Sequence, residues 1–256
     1  MTPPPLLVFT DLDGTLLDHH DYSWSAAQPA LTRLAALGVP VVLASSKTAA
    51  EIAPLRAEMG LSACPAIVEN GAGLLPGHAA PDDDSTTYTR LRGALETLPA
   101  GLRRSFRGFG DMTDAEVAEV TGLPLPQATL ARRRAFSEPG VTTGDADALV
   151  AALTDRGITA RRGGRFLTLS FGGTKADRME EIAALYGHPA TVALGDAPND
   201  VEMLEAATYG FVLANPSAPT LPPLTGETAG HVRRSEKAGP DGWNASLLGL
   251  LSELGL

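Results

Sequence analysis

The sequence predicts an α/β protein built on a doubly wound, mostly parallel sheet, with a second α+β module inserted into it. Three observations carry this reading. Short apolar runs alternate with helical stretches over residues 1–79 and again over 170–256. The stretch between them loses that alternation and opens on the polar segment Pro81-Asp82-Asp83-Asp84. Charge divides the chain in the same place: residues 80–168 hold 12 acids and 12 bases, so the whole net charge of -10 lies in the flanks. The core is therefore placed at 1–79 and 170–256, and the inserted module at 80–169.

Each element has a local cause. Leu6 to Thr10 is an apolar run between Pro and Asp, a buried strand, and a helix from about Ala26 to Leu37 stops at Gly38. Val39 to Ala44 is a second strand. Thr48 lies three residues before Glu51, a capping box that opens a helix ending near Met59, and Ala66 to Val68 is a third strand followed by the turn pair Asn70-Gly71. In the insertion, Thr113 and Glu116 form another capping box, Asp145 to Arg156 reads as helix, and Ile158–Arg162 with Arg165–Ser170 read as strands joined at Gly163-Gly164. Thr174 then caps a helix through Tyr186. Ala190 to Leu194 is a strand, Asn199 to Ala206 a helix, Phe211 to Ala214 a strand, Leu221 to Gly230 a loop, and Trp243 to Leu254 a terminal helix.

Composition narrows the function. A surplus of acid argues against a nucleic-acid partner, because binding the phosphate backbone calls for Lys and Arg in excess. No apolar run approaches the ~20 residues that span a bilayer, which argues against a membrane partner. The first residues carry no basic segment of the secretory kind, and Cys64 is the only cysteine, so a reducing cytoplasm is the expected location. Cys64 reads as core filling and His19-His20 as loop residues.

The chemistry lies at strand ends. Asp11-Leu12-Asp13-Gly14-Thr15 follows the first strand, and Asp196-Ala197-Pro198-Asn199-Asp200 follows a later one. In open α/β sheets ligands bind at those ends. Carboxylates gathered there repel unless a cation binds them, and Asp11, Asp13, Asp196 and Asp200 form an all-oxygen set of the kind Mg2+ prefers. A carboxylate beside a metal can attack phosphorus, a second can serve the leaving oxygen, and a hydroxyl with a lysine can hold the phosphoryl oxygens. Asp11, Asp13, Ser45 or Ser46, and Lys175 suit these tasks. Lys175 opens a helix, against the helix dipole, so its placement calls for a functional reason.

These four pieces, in this order, resemble the haloacid-dehalogenase-like phosphohydrolase superfamily. The resemblance covers the flanks and implies a Rossmann-like core, an aspartyl-phosphate intermediate on Asp11, Asp13 as acid and then base, Ser45 and Lys175 on the phosphoryl group, and Mg2+ at Asp11, Asp13, Asp196 and Asp200. The insertion resembles the larger α/β cap of the superfamily's second class. Ser45-Ser46-Lys47-Thr48, Glu69-Asn70-Gly71, Ser137-Glu138-Pro139, Gly163-Gly164-Arg165-Phe166 and Gly239-Pro240-Asp241-Gly242-Trp243-Asn244 are similar to the mannosyl-3-phosphoglycerate phosphatases. That resemblance implies a phosphorylated sugar acid as the small-molecule substrate and a place in compatible-solute synthesis, the glucosyl analogue being the nearest alternative. Ser46, Lys47, Glu138, Arg165 and Asn199 are then the candidate substrate contacts, with the Arg165 guanidinium on the carboxylate and Glu138 on sugar hydroxyls. A phosphomutase would use the same phosphoaspartate. A phosphoacceptor signalling domain would lack both Asp13 and the insertion.

Overall fold

A computed structural model describes residues 3–82, 85–144, 146–163 and 165–256. Asp83 and Asp84 of the expected linker, Asp145 at the expected helix start and Gly164 of the expected turn lie outside the described residues. Strand β1 (Leu6–Thr10) is followed by α1 (Gln28–Ala36), β2 (Val41–Ala44), α2 (Ala49–Glu58), β3 (Ala66–Val68) and β4 (Gly73–Leu75). Thr48 and Glu51 close the capping box that starts α2. The next elements are α3 (Thr86–Glu96), α4 (Ala100–Ser105), β5 (Phe106–Gly108), α5 (Asp114–Thr121), α6 (Leu125–Arg132), β6 (Ser137–Thr142), α7 (Ala146–Thr154), β7 (Thr159–Gly163) and β8 (Phe166–Ser170). The chain then returns through α8 (Lys175–Leu185), β9 (Ala190–Gly195), α9 (Val201–Ala206), β10 (Tyr209–Ala214), α10 (Thr225–Ala229), β11 (Val232–Ala238) and α11 (Gly239–Glu253).

The main sheet has the order β11-β10-β9-β1-β2-β3-β4, parallel throughout except for β4, which runs antiparallel to β3. Strand β1 is buried along its whole length, and apolar up to Thr10, because both faces are covered. Leu6 and Val8 pack with α1, α2 and α11 on one side, whereas Leu7 and Phe9 pack with α8 and α9 on the other. From β1 the chain winds outward through β2 and β3, and later outward in the opposite direction through β9, β10 and β11. The topological switch therefore falls between β1 and β9, where such sheets bind ligands. Trp243 in α11 is fully buried and donates from Nε1 to Thr10 Oγ1 at 2.9 Å, which ties the last helix to the end of β1.

A second, antiparallel sheet has the order β5-β6-β8-β7. One face packs on helices: Leu167 and Leu169 meet Leu91, Leu95, Leu149 and Leu153 in a separate apolar cluster. The alternation of β8 turns Thr168 and Ser170 to the opposite face. This sheet with its helices forms a cap on the core. Two expectations are corrected in the core's last third. Strand β11 was not expected, since Val-Arg-Arg-Ser-Glu-Lys-Ala is mostly exposed and lies at the sheet edge, where polar side chains face water. The expected loop from Leu221 to Gly230 contains α10, closed by Gly230 in the left-handed conformation.

Candidate active site

The loop after β1 is shaped by its glycine. Gly14 has φ +80°, and a Cβ there would lie 2.9 Å from Asp196 Oδ2. The loop can thus lie against the segment that follows β9, and Thr15 Oγ1 donates to Asp196 Oδ1 at 2.9 Å. From the end of β10, Asn215 Nδ2 donates to the other oxygen of Asp196 at 2.6 Å. Asp11 is joined to β9 through its own N–H, which donates to Leu194 O at 2.9 Å. Asp200 accepts at Oδ2 from the N–H groups of Asp196 and Ala197, both at 3.1 Å, and so fixes the loop that carries both acids.

Lys175 is the first residue of α8, which Thr174 and Asp177 cap reciprocally. Its Nζ donates to Asp11 Oδ1 and to Asp200 Oδ1, each at 2.6 Å. The side chain is 1 % exposed. The cation placed against its helix dipole is held by two buried carboxylates. Burial works against the charge on Lys175, but Asp11 and Asp200 outweigh it and raise its pKa. Burial also pushes the Asp11 carboxyl well above the usual carboxylate range. Asp200 adds to that shift and Lys175 opposes it. Asp196 is likewise raised by burial, against the hydrogen bond from Asn215.

Asp11, Asp196 and Asp200 each offer one oxygen within 4.8 Å of the others. Against one buried lysine, three buried carboxylates leave a surplus of negative charge, and all the donors are oxygen. The set fits a hard divalent cation such as Mg2+. Asp13 does not join the three. Its Oδ2 lies 2.9 Å from Lys47 Nζ at the mouth of the site, and its buried Oδ1 has no hydrogen-bond partner.

A cleft of about 820 Å³ separates this end of the core from the cap. Asp13, Ser46, Lys47, Lys175 and Asn199 line its core side. Asn199 Nδ2 also donates to Asn70 Oδ1 at 3.1 Å. Ser45 is buried beside the cleft, with its Oγ accepting from Lys47 N at 3.2 Å.

The two cap candidates are corrected. Glu138 is fully buried and accepts from Tyr88 Oη, from Arg92 at 2.9 Å and from Gly110 N at 2.8 Å, so it serves the interior of the cap and not a sugar. Arg165 Nη2 donates to the carbonyl of Thr121 at 3.0 Å, and its guanidinium lies 5.5 Å from the Phe166 ring. It is absent from the cleft wall. Arg134, Arg161 and Arg162 line the wall instead. Strand register places Arg161 opposite Thr168 and Thr168 opposite Pro139, a row across the cleft-facing side of the sheet. The irregular patterning of the insertion hid that register, but Asn215 was open to detection, since it follows an apolar strand of the core.

A haloacid dehalogenase-like hydrolase family model matches residues 8–84 and 147–222, spanning the acidic loops after β1 and β9 and Lys175. The chain belongs to this family. Solved members of the haloacid dehalogenase superfamily share the fold over nearly the whole chain. A phosphatase from Bacteroides thetaiotaomicron aligns over 97 % of this chain and 94 % of its own, at 19 % identity and TM-score 0.68. The sucrose-phosphatase of Synechocystis, solved with sucrose and phosphate, covers 100 % and 99 % at 13 % identity and TM-score 0.63. A subclass IIB sugar phosphatase of the superfamily covers 97 % and 98 % at 16 % identity and TM-score 0.63. No helix among the described residues of this family member is long and apolar enough to cross a membrane.

Proposed function

We propose that the chain is a magnesium-dependent phosphatase that releases phosphate from a small phosphorylated sugar acid, mannosyl-3-phosphoglycerate being the substrate its motifs favour. The observation that carries the reading is the contact of Asp11 with Lys175. A carboxylate at a strand end is hydrogen-bonded at 2.6 Å by a buried lysine, and Lys175 belongs to the wall of a cleft large enough for such a substrate.

Asp11 is the nucleophile. One of its oxygens bonds to phosphorus as the bond from phosphorus to the sugar-acid oxygen breaks, and Asp13 donates its proton to that leaving oxygen. Asp13 then takes a proton from water as the water oxygen attacks phosphorus, which returns the Asp11 carboxylate and frees inorganic phosphate. Lys175 holds Asp11 in position and opposes charge on the phosphoryl oxygens, while the Ser45–Lys47 segment binds those oxygens from the next strand end. Asp11 and Asp196 would hold Mg2+, with Asp200 supporting the loop. The bound cation supplies positive charge that offsets the phosphoryl oxygens.

The sugar acid also carries a carboxylate, which needs its own cation. The cleft-facing row of the cap supplies Arg161, with Thr168 beside it for hydroxyl groups. Arg161 is half-exposed and lies 3.3 Å from Glu202 across the cleft, a pair weak enough to exchange for a substrate carboxylate. Phosphate release from mannosyl-3-phosphoglycerate, its glucosyl analogue and a panel of simple sugar phosphates tests the assignment. A clear preference for the two glycosyl phosphoglycerates is expected. Equal rates on hexose phosphates that lack a carboxylate would overturn the sugar-acid reading.

A further inference from the structure

The turn between β3 and β4 carries strain that the chemistry above does not use. Glu69 and Asn70 are consecutive non-glycine residues in the left-handed region, with φ +53° and +58°. Gly71 follows at φ +92°, and a Cβ on it would lie 2.1 Å from the backbone carbon of Thr174, next to Lys175. The strain buys a close approach on three sides. Toward the core, Asn70 N donates to Ser45 O at 2.9 Å and Glu69 N to Lys47 O at 3.0 Å. These carbonyls belong to the segment assigned to the phosphoryl oxygens.

Toward the cap, the fully buried Glu69 carboxylate fills a cradle of consecutive N–H groups. Ala135 N donates to Oε1 at 2.8 Å, and Phe136 N and Ser137 N donate to Oε2 at 3.2 and 2.7 Å. Ser137 Oγ adds a bond of 2.7 Å. Arg134 Nε lies 3.2 Å from Oε2 without hydrogen-bond alignment, and the same guanidinium donates to Ser46 O at 3.3 Å. Those amides lead into β6, whose first residue is Ser137 and which carries Pro139 into the cleft wall. One side chain thus joins the phosphoryl-binding segment to the cap strand beside the substrate.

We infer that Glu69 is a positioning residue that couples occupancy of the phosphoryl site to the seating of the cap. The inference rests on the phosphatase reading. Ordering of the Ser45–Lys47 segment by a bound anion orders the turn through the Ser45 and Lys47 carbonyls, and the carboxylate transmits this to the 135–137 amides. A glutamine there presents one acceptor oxygen and one NH2 group to a cradle of donors, so it can hold some of the amides but not all of them.

The test is amide hydrogen exchange of the whole chain with Mg2+, with and without orthovanadate, a mimic of the phosphoryl transition state. In the wild type, vanadate should slow exchange in residues 45–47 and, by at least about tenfold, at 135–137, the scale of charge-assisted hydrogen bonds. Glu69→Gln should keep the slowing at 45–47 and lose it at 135–137. A carboxylate that only helps the chain fold would change baseline exchange without changing the response to vanadate. Should Glu69→Gln fail to fold, Ser137→Ala, which removes one donor to Oε2, must still reduce the response at 135–137. Protection at 45–47 with none at 135–137 in the wild type overturns the coupling, as does an equal response in the variants. Protection nowhere overturns the phosphoryl site itself and takes the coupling with it.

Discussion

Replacing Lys175 by methionine isolates the charge that holds the acidic site together, because methionine keeps the length and most of the volume of the stem. The lysine side chain is 1 % exposed and that of Asp200 is 0 % exposed, so the contact at 2.6 Å is dry. Removing one partner of a buried ion pair costs about 3–5 kcal/mol, because the other charge stays buried and unpaired. For a chain of this size each kcal/mol lowers the melting temperature by about 2–4 °C, which sets the expected fall on the order of 10 °C. The deficit should shrink in mildly acid buffer. The Asp11 pKa is already raised by burial and Asp200, and loss of Lys175 removes the charge that opposes the rise. A carboxyl with a raised folded pKa costs stability above that pKa and regains it as pH falls through it. Mg2+ should also restore stability, by about 2.7 kcal/mol at a hundredfold excess over its dissociation constant. Calorimetric unfolding of both proteins, in neutral and mildly acid buffer with and without Mg2+, reads all three effects. A variant melting within about 2 °C of wild type and insensitive to acid and Mg2+ would refute the reasoning.

Asp11→Asn should leave the fold intact and reduce phosphate release below about a hundredth of wild type, since an amide cannot attack phosphorus; greater residual turnover removes Asp11 as nucleophile. Chelator should stop turnover and Mg2+ restore it, with Ca2+ binding but inhibiting because it accepts more oxygens in looser geometry; full activity in excess chelator contradicts the cation site. Arg161→Ala should cost roughly ten- to hundredfold in kcat/KM on a carboxylate-bearing phosphate and little on p-nitrophenyl phosphate, whereas Arg165→Ala should change neither. The opposite ranking in steady-state kinetics would return the specificity role to the β7–β8 turn.

Much of the core was legible because its signals are local. Apolar runs such as Leu6 to Thr10 need both faces covered, and the Thr48/Glu51 and Thr174/Asp177 pairs announce helix starts within four residues. The acids at strand ends could be paired before any geometry was known, because a parallel sheet brings those ends together. The cap was less legible. Its sheet is antiparallel and half-exposed, so whether Arg161 or Arg165 faces the cleft depends on the register of β7 with β8 and on a partner, Thr121, in another element. Glu138 and Glu69 look alike as isolated acids. One serves the interior of the cap and the other the joint between cap and core, a distinction set by contacts 28 to 68 residues away. Spacing and resemblance group Asp13 with the metal set, whereas its carboxylate pairs with Lys47.

The central claim is that the phosphoryl group passes through Asp11. Asp13→Asn removes the group that supports hydrolysis of the intermediate, while p-nitrophenyl phosphate supplies a leaving group that needs no proton. Acid quench after brief mixing with Mg2+, followed by mass spectrometry of the intact chain and of the peptide containing Asp11, measures the intermediate directly. A single added phosphoryl group on Asp11, lost when Asp11→Asn is added to the variant, is the result the account predicts. Nitrophenol release with no adduct on the chain, or an adduct on Ser45 in place of Asp11, would contradict it.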